Sequence, residues 1–248
     1  MNKYIKPSYL PALTLLSGFL GLVLRAWLVL AATDIKGLLV TTHPAHILLF
    51  VLTALVLAAI FLFVRPLGVM NRYQELFPNG ILSGTGCIVS AVGILWVSLR
   101  DRNLRTDIVT NVCLVLGVLA AICLVAIAVS RFKQRRPTFY LHVVVTLFLM
   151  VHLVSQYRLW SSEPQLQVYF FPLLSSVFLM LTAYHSAVLD AKKASRRWFV
   201  FCNQGALFFC CVSVWSDSWL FYLTMAFWMF TGLCALDVQP SEKEEEAA

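Results

Sequence analysis

Eight apolar stretches, each long enough to cross a lipid bilayer, constrain the fold of this chain more than any other feature. A transmembrane helix needs about 20 mostly apolar residues, because each residue adds 1.5 Å to its length. We therefore predict an all-α fold: a polytopic transmembrane helical bundle, forming one domain over residues 1–236, followed by an acidic cytoplasmic tail at 237–248. The eight predicted spans cover residues 11–32, 46–64, 81–99, 108–129, 139–157, 168–188, 198–215 and 218–236.

Composition excludes the main alternatives to a membrane protein. Of the 248 residues, 60% are hydrophobic and 12% are charged, whereas soluble domains carry about 25% charged residues. Intrinsic disorder requires low hydrophobicity and high charge, so the chain does not belong to that class either. The longest connecting segment covers residues 65–80, which leaves no room for a soluble catalytic domain. Any chemistry must take place in or beside the bilayer.

The distribution of lysine and arginine predicts the orientation. With eight spans, both tails and three connecting segments share one side, and this side holds 13 of the 19 basic residues. The opposite side holds five, and Arg25 lies inside the first span. Since basic residues concentrate in cytoplasmic loops, we predict that both termini are cytoplasmic, in the plasma (inner) membrane. Membrane topology also accounts for the net charge of +7, so we predict no nucleic-acid partner.

The last two apolar stretches are separated only by Ser216 and Asp217. This spacing indicates either a tight hairpin between two spans or a single re-entrant pair. Residues 198–236 would measure about 58 Å as helix, which is enough for two crossings of a roughly 30 Å core. We therefore predict two spans.

Stripes of small residues run along several predicted spans. Ser83, Gly86, Ser90 and Gly93 recur at helical spacing on the third span. In a membrane, small residues let helix backbones approach closely, so we predict that this stripe is a helix contact. A fainter pattern, in which Arg-x-Trp closes both the first and the fifth spans, leads to the hypothesis of a weak 4+4 parallel repeat.

Arg25 is the one basic residue inside a predicted span. Two interpretations are open: its long side chain reaches the interface, or it forms an ion pair or an anion site. Its candidate partners on the same side are Asp34, Glu163 and Asp217. No acidic residue lies in the middle of a span, which disfavours a standard ion-coupled transporter.

His43 and His46 form an HxxH pattern at the start of the second span. Two histidines at this spacing could bind one metal ion, but a site would need a third protein ligand. A helix that begins at Pro44 with polar interfacial neighbours explains the pattern more simply. We predict no metal site, no cofactor and no catalytic residue, since the chain contains no recognisable catalytic motif.

Aromatic residues gather toward the predicted outer face. They form either a lipid-facing belt or a vestibule for an amphiphilic or cationic ligand. We predict that an Arg25–Glu163 pair leaves Arg158 free for an anionic or polar ligand group, and that Tyr157 and Trp160 pack the apolar part. The complete predicted ligand-binding pocket consists of Arg25, His152, Tyr157, Arg158, Trp160 and Glu163.

Residues 157–166 (YRLWSSEPQL), followed by residues 180–187 (MLTAYHSA) and by Asp190-Ala191, form a pattern that resembles a functionally uncharacterised family of bacterial polytopic membrane proteins. The resemblance implies a bacterial multi-pass membrane protein. The resemblance does not indicate a substrate or a mechanism, because that family has no assigned activity.

Three functions fit these observations. The first is a permease-like or ligand-binding membrane module for a small amphiphilic or anionic ligand. The second is a non-catalytic partner or sensor that packs against another membrane protein through the small-residue stripes. The third, an intramembrane lipid-modifying enzyme, is weakened by the lack of converging acid–base residues. Membrane lipids are predicted partners in each case.

Overall fold

A computed structural model of the chain describes residues 10–31, 43–65, 80–104, 107–161, 166–191 and 196–235. Eight α-helices run through these residues, and a short 3₁₀ helix at Leu166–Tyr169 precedes the sixth. The α-helices are α1 (Leu10–Ala31), α2 (Pro44–Val64), α3 (Gly80–Leu104), α4 (Ile108–Phe132), α5 (Phe139–Trp160), α6 (Phe170–Asp190), α7 (Arg196–Ser213) and α8 (Trp219–Cys234). The predicted all-α bundle is confirmed.

Six of these helices, α1 to α6, are long and apolar enough to cross a membrane. The chain is therefore a multi-pass helical membrane protein. The remaining two pack against each other and are joined by the short link predicted from Ser216 and Asp217. At 18 and 16 residues, α7 and α8 are about 27 and 24 Å long, slightly less than a roughly 30 Å hydrocarbon core.

Helix α7 lies at the centre of the bundle. Every residue from 202 to 210 is buried, so protein covers all faces of this segment. The helix packs against α1, α2, α6 and α8. Because α7 is shielded from lipid, it can carry polar residues such as Asn203 and Gln204, both buried. Shielding explains why α7 is less apolar than the helices around it.

The small-residue stripe of α3 is a helix contact, as predicted. Ser83, Gly86, Ser90 and Gly93 are all buried, and α3 packs closely against α8. A β-carbon on Gly86 would overlap Oγ1 of Thr231 and lie 3.2 Å from Cα of Trp228. The absence of a side chain at Gly86 thus sets how closely α3 and α8 approach.

His43 begins α2 as its N-cap residue. Its Nδ1 accepts a hydrogen bond from the backbone nitrogen of Ala45 at 3.3 Å, and Pro44 occupies the first turn. The ring of His43 also packs edge-on against Trp27, with centroids 5.6 Å apart. The HxxH pattern therefore marks a proline-started helix with a capping histidine.

Four helices, α3 to α6, end beyond the apolar stretches that predicted them, and the extensions of α3 and α6 each include an aspartate. The third predicted span ended at residue 99, whereas α3 continues to Leu104 and places Arg100 and Asp101 on a helix. The sixth ended at residue 188, whereas α6 continues to Asp190. Both extensions bring an aspartate into the bundle. The acidic tail and the two candidate Arg25 partners Asp34 and Glu163 lie outside the described residues.

Candidate functional site

Polar residues concentrate at the two ends of the bundle, which we name after Arg25 and Asp190. The Arg25 end contains the C-terminal turns of α1, α3 and α5, the link between α7 and α8, and the start of α6. The Asp190 end contains the C-terminal turns of α4 and α6. Two neighbouring cavities lie at the Arg25 end.

Arg25 points into the protein from α1. Its side chain is buried, with 4% of the residue exposed, and one guanidinium nitrogen donates to the backbone carbonyl of Val168 at 2.9 Å. The guanidinium carbon lies 5.4 Å from the centroid of the Phe171 ring. The Nε atom is buried and has no hydrogen-bond partner among the described residues. Arg25 is therefore a buried cation that makes no ion pair with an acidic residue in the described part of the chain.

A cavity of about 570 Å³ adjoins Arg25. Its wall comes from α1, the start of α6, the link between α7 and α8, and the first residue of α8. Its size is in the range of pockets that bind small molecules. The residues that line it are Arg25, Val29, Val168, Tyr169, Pro172, Val214, Trp215, Ser216, Asp217 and Trp219.

A second cavity of about 270 Å³ adjoins the first, since Tyr169, Pro172, Ser216 and Asp217 line both. The C-terminal turn of α3 contributes Arg100, Asp101 and Leu104, and α5 contributes Gln156, Leu159 and Trp160. Ser218 and Tyr222 complete the lining. The two cavities together form a vestibule, the name that we use below for the space enclosed by these residues.

Asp101 is held in place on the wall of the smaller cavity. Its Oδ2 accepts a hydrogen bond from Nε2 of Gln156 at 2.9 Å, and 21% of its side chain remains exposed. Beside it, the rings of Trp160 and Tyr169 stack with centroids 5.0 Å apart and planes 12° apart. The smaller cavity thus combines a carboxylate with a stacked aromatic pair.

Arg100 supports the link between α7 and α8. Its guanidinium donates to the backbone carbonyl of Asp217 and lies 5.3 Å from the ring centroid of Trp96. A terminal nitrogen is also 3.5 Å from Oγ of Ser218. Arg100 therefore fixes the segment that separates the two cavities.

His152 is a core residue behind this wall. It is 2% exposed and its ring lies between Phe148 and Phe221, at centroid distances of 5.7 and 5.1 Å. Its Nδ1 is 3.9 Å from both Sγ of Cys113 and Oδ2 of Asp101. A catalytic triad would place nucleophile and carboxylate at opposite ring nitrogens. This arrangement is not a triad, because both groups approach the same nitrogen.

The residues of the predicted pocket thus occupy different positions. Arg25 and Trp160 line the vestibule, and His152 contacts its wall from behind through Asp101. Tyr157 and Arg158 are exposed on α5 and do not line either cavity. Glu163 lies outside the described residues. The pairing of Arg25 with Glu163 stays a prediction.

Sequence reasoning missed several residues of the vestibule, including Arg100, Asp101 and Gln156. The first two were assigned to a loop because the apolar stretch ends at residue 99. A sequence signal did exist: Asp101 and Gln156 lie near the C-terminal ends of the third and fifth spans, which finish at the same end of the bundle, and polar residues near such ends can meet. The spacing along either helix does not show that they face each other.

The Asp190 end contains a buried histidine–aspartate contact that the sequence did not reveal. Nδ1 of His142 on α5 lies 2.7 Å from Oδ2 of Asp190 on α6, with 2% and 1% of the side chains exposed. Arg131 and Asn203 lie nearby around a cavity of about 20 Å³, a volume that accommodates about one water molecule. This cluster is too closely packed to hold an organic ligand.

Comparison with known proteins adds no relative to this description. No family model matches the chain, and neither the curated proteins nor the solved structures contain a significant match. The resemblance of residues 157–191 to a bacterial family stays a prediction, and the site must be interpreted from its own geometry.

Proposed function

We propose that this protein is a permease-like or ligand-binding membrane module whose vestibule binds an amphiphile through an anionic group. The observation that carries the proposal is the buried Arg25, which lines a cavity of about 570 Å³ and makes no ion pair with an acidic residue in the described part of the chain. A buried cation is costly unless a negative or hydrogen-bonding group compensates it. A phosphate or carboxylate that enters the cavity beside the guanidinium would provide that compensation.

The vestibule also suits the apolar part of an amphiphile. Trp215 and Trp219, which are 45% and 50% exposed, line the larger cavity together with Val29 and Val214. An alkyl chain in contact with these side chains would be shielded from water while its head group remains near Arg25. The mixed lining therefore favours an amphiphile over a fully polar solute.

Orientation is part of the proposal. If both termini are cytoplasmic, the vestibule opens toward the outside of the plasma membrane, because Arg25 lies near the end of the first span. The bias of basic residues toward the side of the termini supports this orientation.

The test compares two single-chain amphiphiles with the same alkyl chain, an alkyl phosphate and an alkyl maltoside, on the purified protein. We expect the alkyl phosphate to raise the melting temperature more than the maltoside does. Replacing Arg25 with glutamine should weaken alkyl phosphate binding about tenfold or more, since a hydrogen bond to a charged group contributes about 1.5–3 kcal/mol. Equal effects of the two amphiphiles on the wild-type protein would refute the proposal.

Arg102→Gln is the matched control. Arg102 is exposed on the last turn of α3, so its loss changes the charge at the same end without altering the vestibule. If Arg25→Gln does not fold, Arg25→Lys provides the second measurement, because it retains the charge but loses the planar guanidinium. Arg25→Lys should weaken alkyl phosphate binding and leave alkyl maltoside binding unchanged, since an ammonium group lacks the paired donors of a guanidinium. Unchanged alkyl phosphate binding by Arg25→Lys would show that the guanidinium makes no contact with the ligand.

A further inference from the structure

We infer that the vestibule selects a zwitterionic ligand, with its anionic group at Arg25 and its cationic group at Asp101 beside Trp160 and Tyr169. This inference rests on the proposed function, since it specifies the chemistry of the same ligand. It follows from the different charges of the two adjoining cavities.

The two cavities differ in formal charge. Among the described residues, the smaller one is lined by one arginine and two aspartates, Arg100, Asp101 and Asp217, so this part of its lining has one more acidic than basic side chain. Asp217 also lines the larger cavity, at the boundary between the two. The far side of the larger cavity holds the buried Arg25. A ligand that spans both cavities would therefore meet a positive group at one end and a negative region at the other.

The wall beside Asp101 has the composition of a cation site. Aromatic rings attract cations through their quadrupole, and quaternary ammonium groups are commonly bound in this way. Here the Trp160–Tyr169 stack lines the same cavity as the partly exposed Asp101 carboxylate. An ammonium group could contact the carboxylate and the aromatic pair simultaneously.

Arg100 does not remove the preference of the smaller cavity for a cationic group. Its guanidinium is engaged by the Asp217 carbonyl and by the Trp96 ring, which hold it against the α7–α8 link. Ser216, on the same link, lines both cavities, and its buried Oγ has no hydrogen-bond partner among the described residues. Ser216 therefore forms part of the boundary between the two cavities.

The experiment adds a zwitterionic amphiphile, an alkylphosphocholine, to the alkyl phosphate and alkyl maltoside of equal chain length. Binding to the full-length protein is measured by native mass spectrometry from a nonionic detergent. We expect the alkylphosphocholine to bind about tenfold more tightly than the alkyl phosphate. If both charged amphiphiles bind equally well and better than the maltoside, the zwitterion inference is overturned and the proposed function stands. If neither binds better than the maltoside, both fail.

Asp101→Asn tests the cationic subsite directly. Asparagine can still accept the hydrogen bond from Gln156, so the wall keeps its shape while losing its charge. The variant should bind alkylphosphocholine about tenfold more weakly and alkyl phosphate no less tightly than the wild type does. Asp107→Asn is the control, because Asp107 is exposed at the start of α4 and at the same end. Equal losses in the Asp101 and Asp107 variants would show a general charge effect and overturn the inference.

Free phosphocholine, which lacks an alkyl chain, distinguishes a lipid-like ligand from a soluble zwitterion. We expect it to bind measurably but more weakly than alkylphosphocholine, because the aromatic and aliphatic lining gains nothing from it. If free phosphocholine binds as tightly as alkylphosphocholine, the ligand is a soluble zwitterion. This result would support the zwitterion inference and overturn the proposal that the ligand is an amphiphile.

Discussion

Nδ1 of His142 lies 2.7 Å from Oδ2 of Asp190, and both side chains are buried where α5 meets α6. Removing one member of a buried pair leaves an uncompensated charge and typically costs about 3–5 kcal/mol, whereas replacing both with apolar residues is often neutral. Arg131, which is 8% exposed, lines the small cavity that includes His142. His142, Asp190 and Arg131 thus bring ionisable side chains from three helices together in the interior of the bundle.

This relationship predicts strong coupling between the two positions. Asp190→Leu should lower the free energy of unfolding by about 3–5 kcal/mol. The His142→Leu/Asp190→Leu double variant should recover part of that loss, though not all of it, because the charge of Arg131 remains. Denaturant titration in detergent micelles gives the free energy of unfolding of the wild type, the two single variants and the double variant. If the cost of the double variant equals the sum of the single costs, the two residues are energetically independent.

The contact between α3 and α8 predicts a large cost for added bulk at Gly86. Gly86→Leu should reduce the free energy of unfolding by about 1–3 kcal/mol or more, since overpacking shifts the backbones apart. A smaller change, Gly86→Ala, should also be destabilising, because its β-carbon would overlap Oγ1 of Thr231. The Gly86→Ala/Thr231→Ala double variant lacks that oxygen and should therefore be more stable than Gly86→Ala alone. Val92→Leu is the control, since Val92 is 57% exposed on the same helix. An unchanged melting temperature for Gly86→Leu would be inconsistent with this contact.

The fold was predictable because hydrophobic length alone determines where helices can cross a bilayer. All eight helices lie within a few residues of their predicted positions, and the Ser83–Gly93 stripe identified a real contact. Helix ends were less predictable. Arg100 and Asp101 continue α3 beyond its apolar stretch, because a polar residue can extend a helix wherever another polar group satisfies it.

The site was only partly predictable. Arg25 was identified because a lone arginine within a span is conspicuous, and Trp160 because of its place in an aromatic cluster. Asp101 and Asp190 were missed because they are recognised by their partners, Gln156 and His142, and these partners are 55 and 48 positions away along the sequence. The packing of the whole bundle determines which faces of two helices meet, and the sequence of one helix does not reveal it. The sequence argument against buried carboxylates considered only the middle of each span.

Eight membrane crossings would place both termini on the same side of the membrane. Single cysteines introduced at positions 3 and 243, into a variant without native cysteines, should react with a membrane-impermeant maleimide only after the membrane is opened. A cysteine at position 102, at the Arg25 end, should react in intact cells. Labelling of positions 3 and 243 from opposite sides would show that one of the helices does not cross.

Arg158 provides a direct comparison between the predicted pocket and the vestibule. The sequence analysis assigned the anionic group of the ligand to Arg158, whereas the structure places this residue on the exposed surface of α5. Arg158→Ala should therefore leave alkyl phosphate binding within about twofold of the wild type, as expected for a solvent-screened charge. If Arg158→Ala weakens alkyl phosphate binding as much as Arg25→Gln does, Arg158 contacts the ligand as the sequence predicted.

The α7–α8 link should depend on Arg100. Its guanidinium donates to the Asp217 carbonyl from α3, so Arg100→Gln removes the charged donor that joins this link to α3. Amide hydrogen exchange at residues 214–218 should accelerate about tenfold, corresponding to a loss of about 1.4 kcal/mol, near the lower limit for a hydrogen bond with a charged donor. Arg102→Gln, on the same turn but exposed, should leave these amides unchanged. Because Ser216 and Asp217 line both cavities, Arg100→Gln should also weaken alkylphosphocholine binding. Faster exchange without weaker binding would mean that the link closes the vestibule but does not contact the ligand.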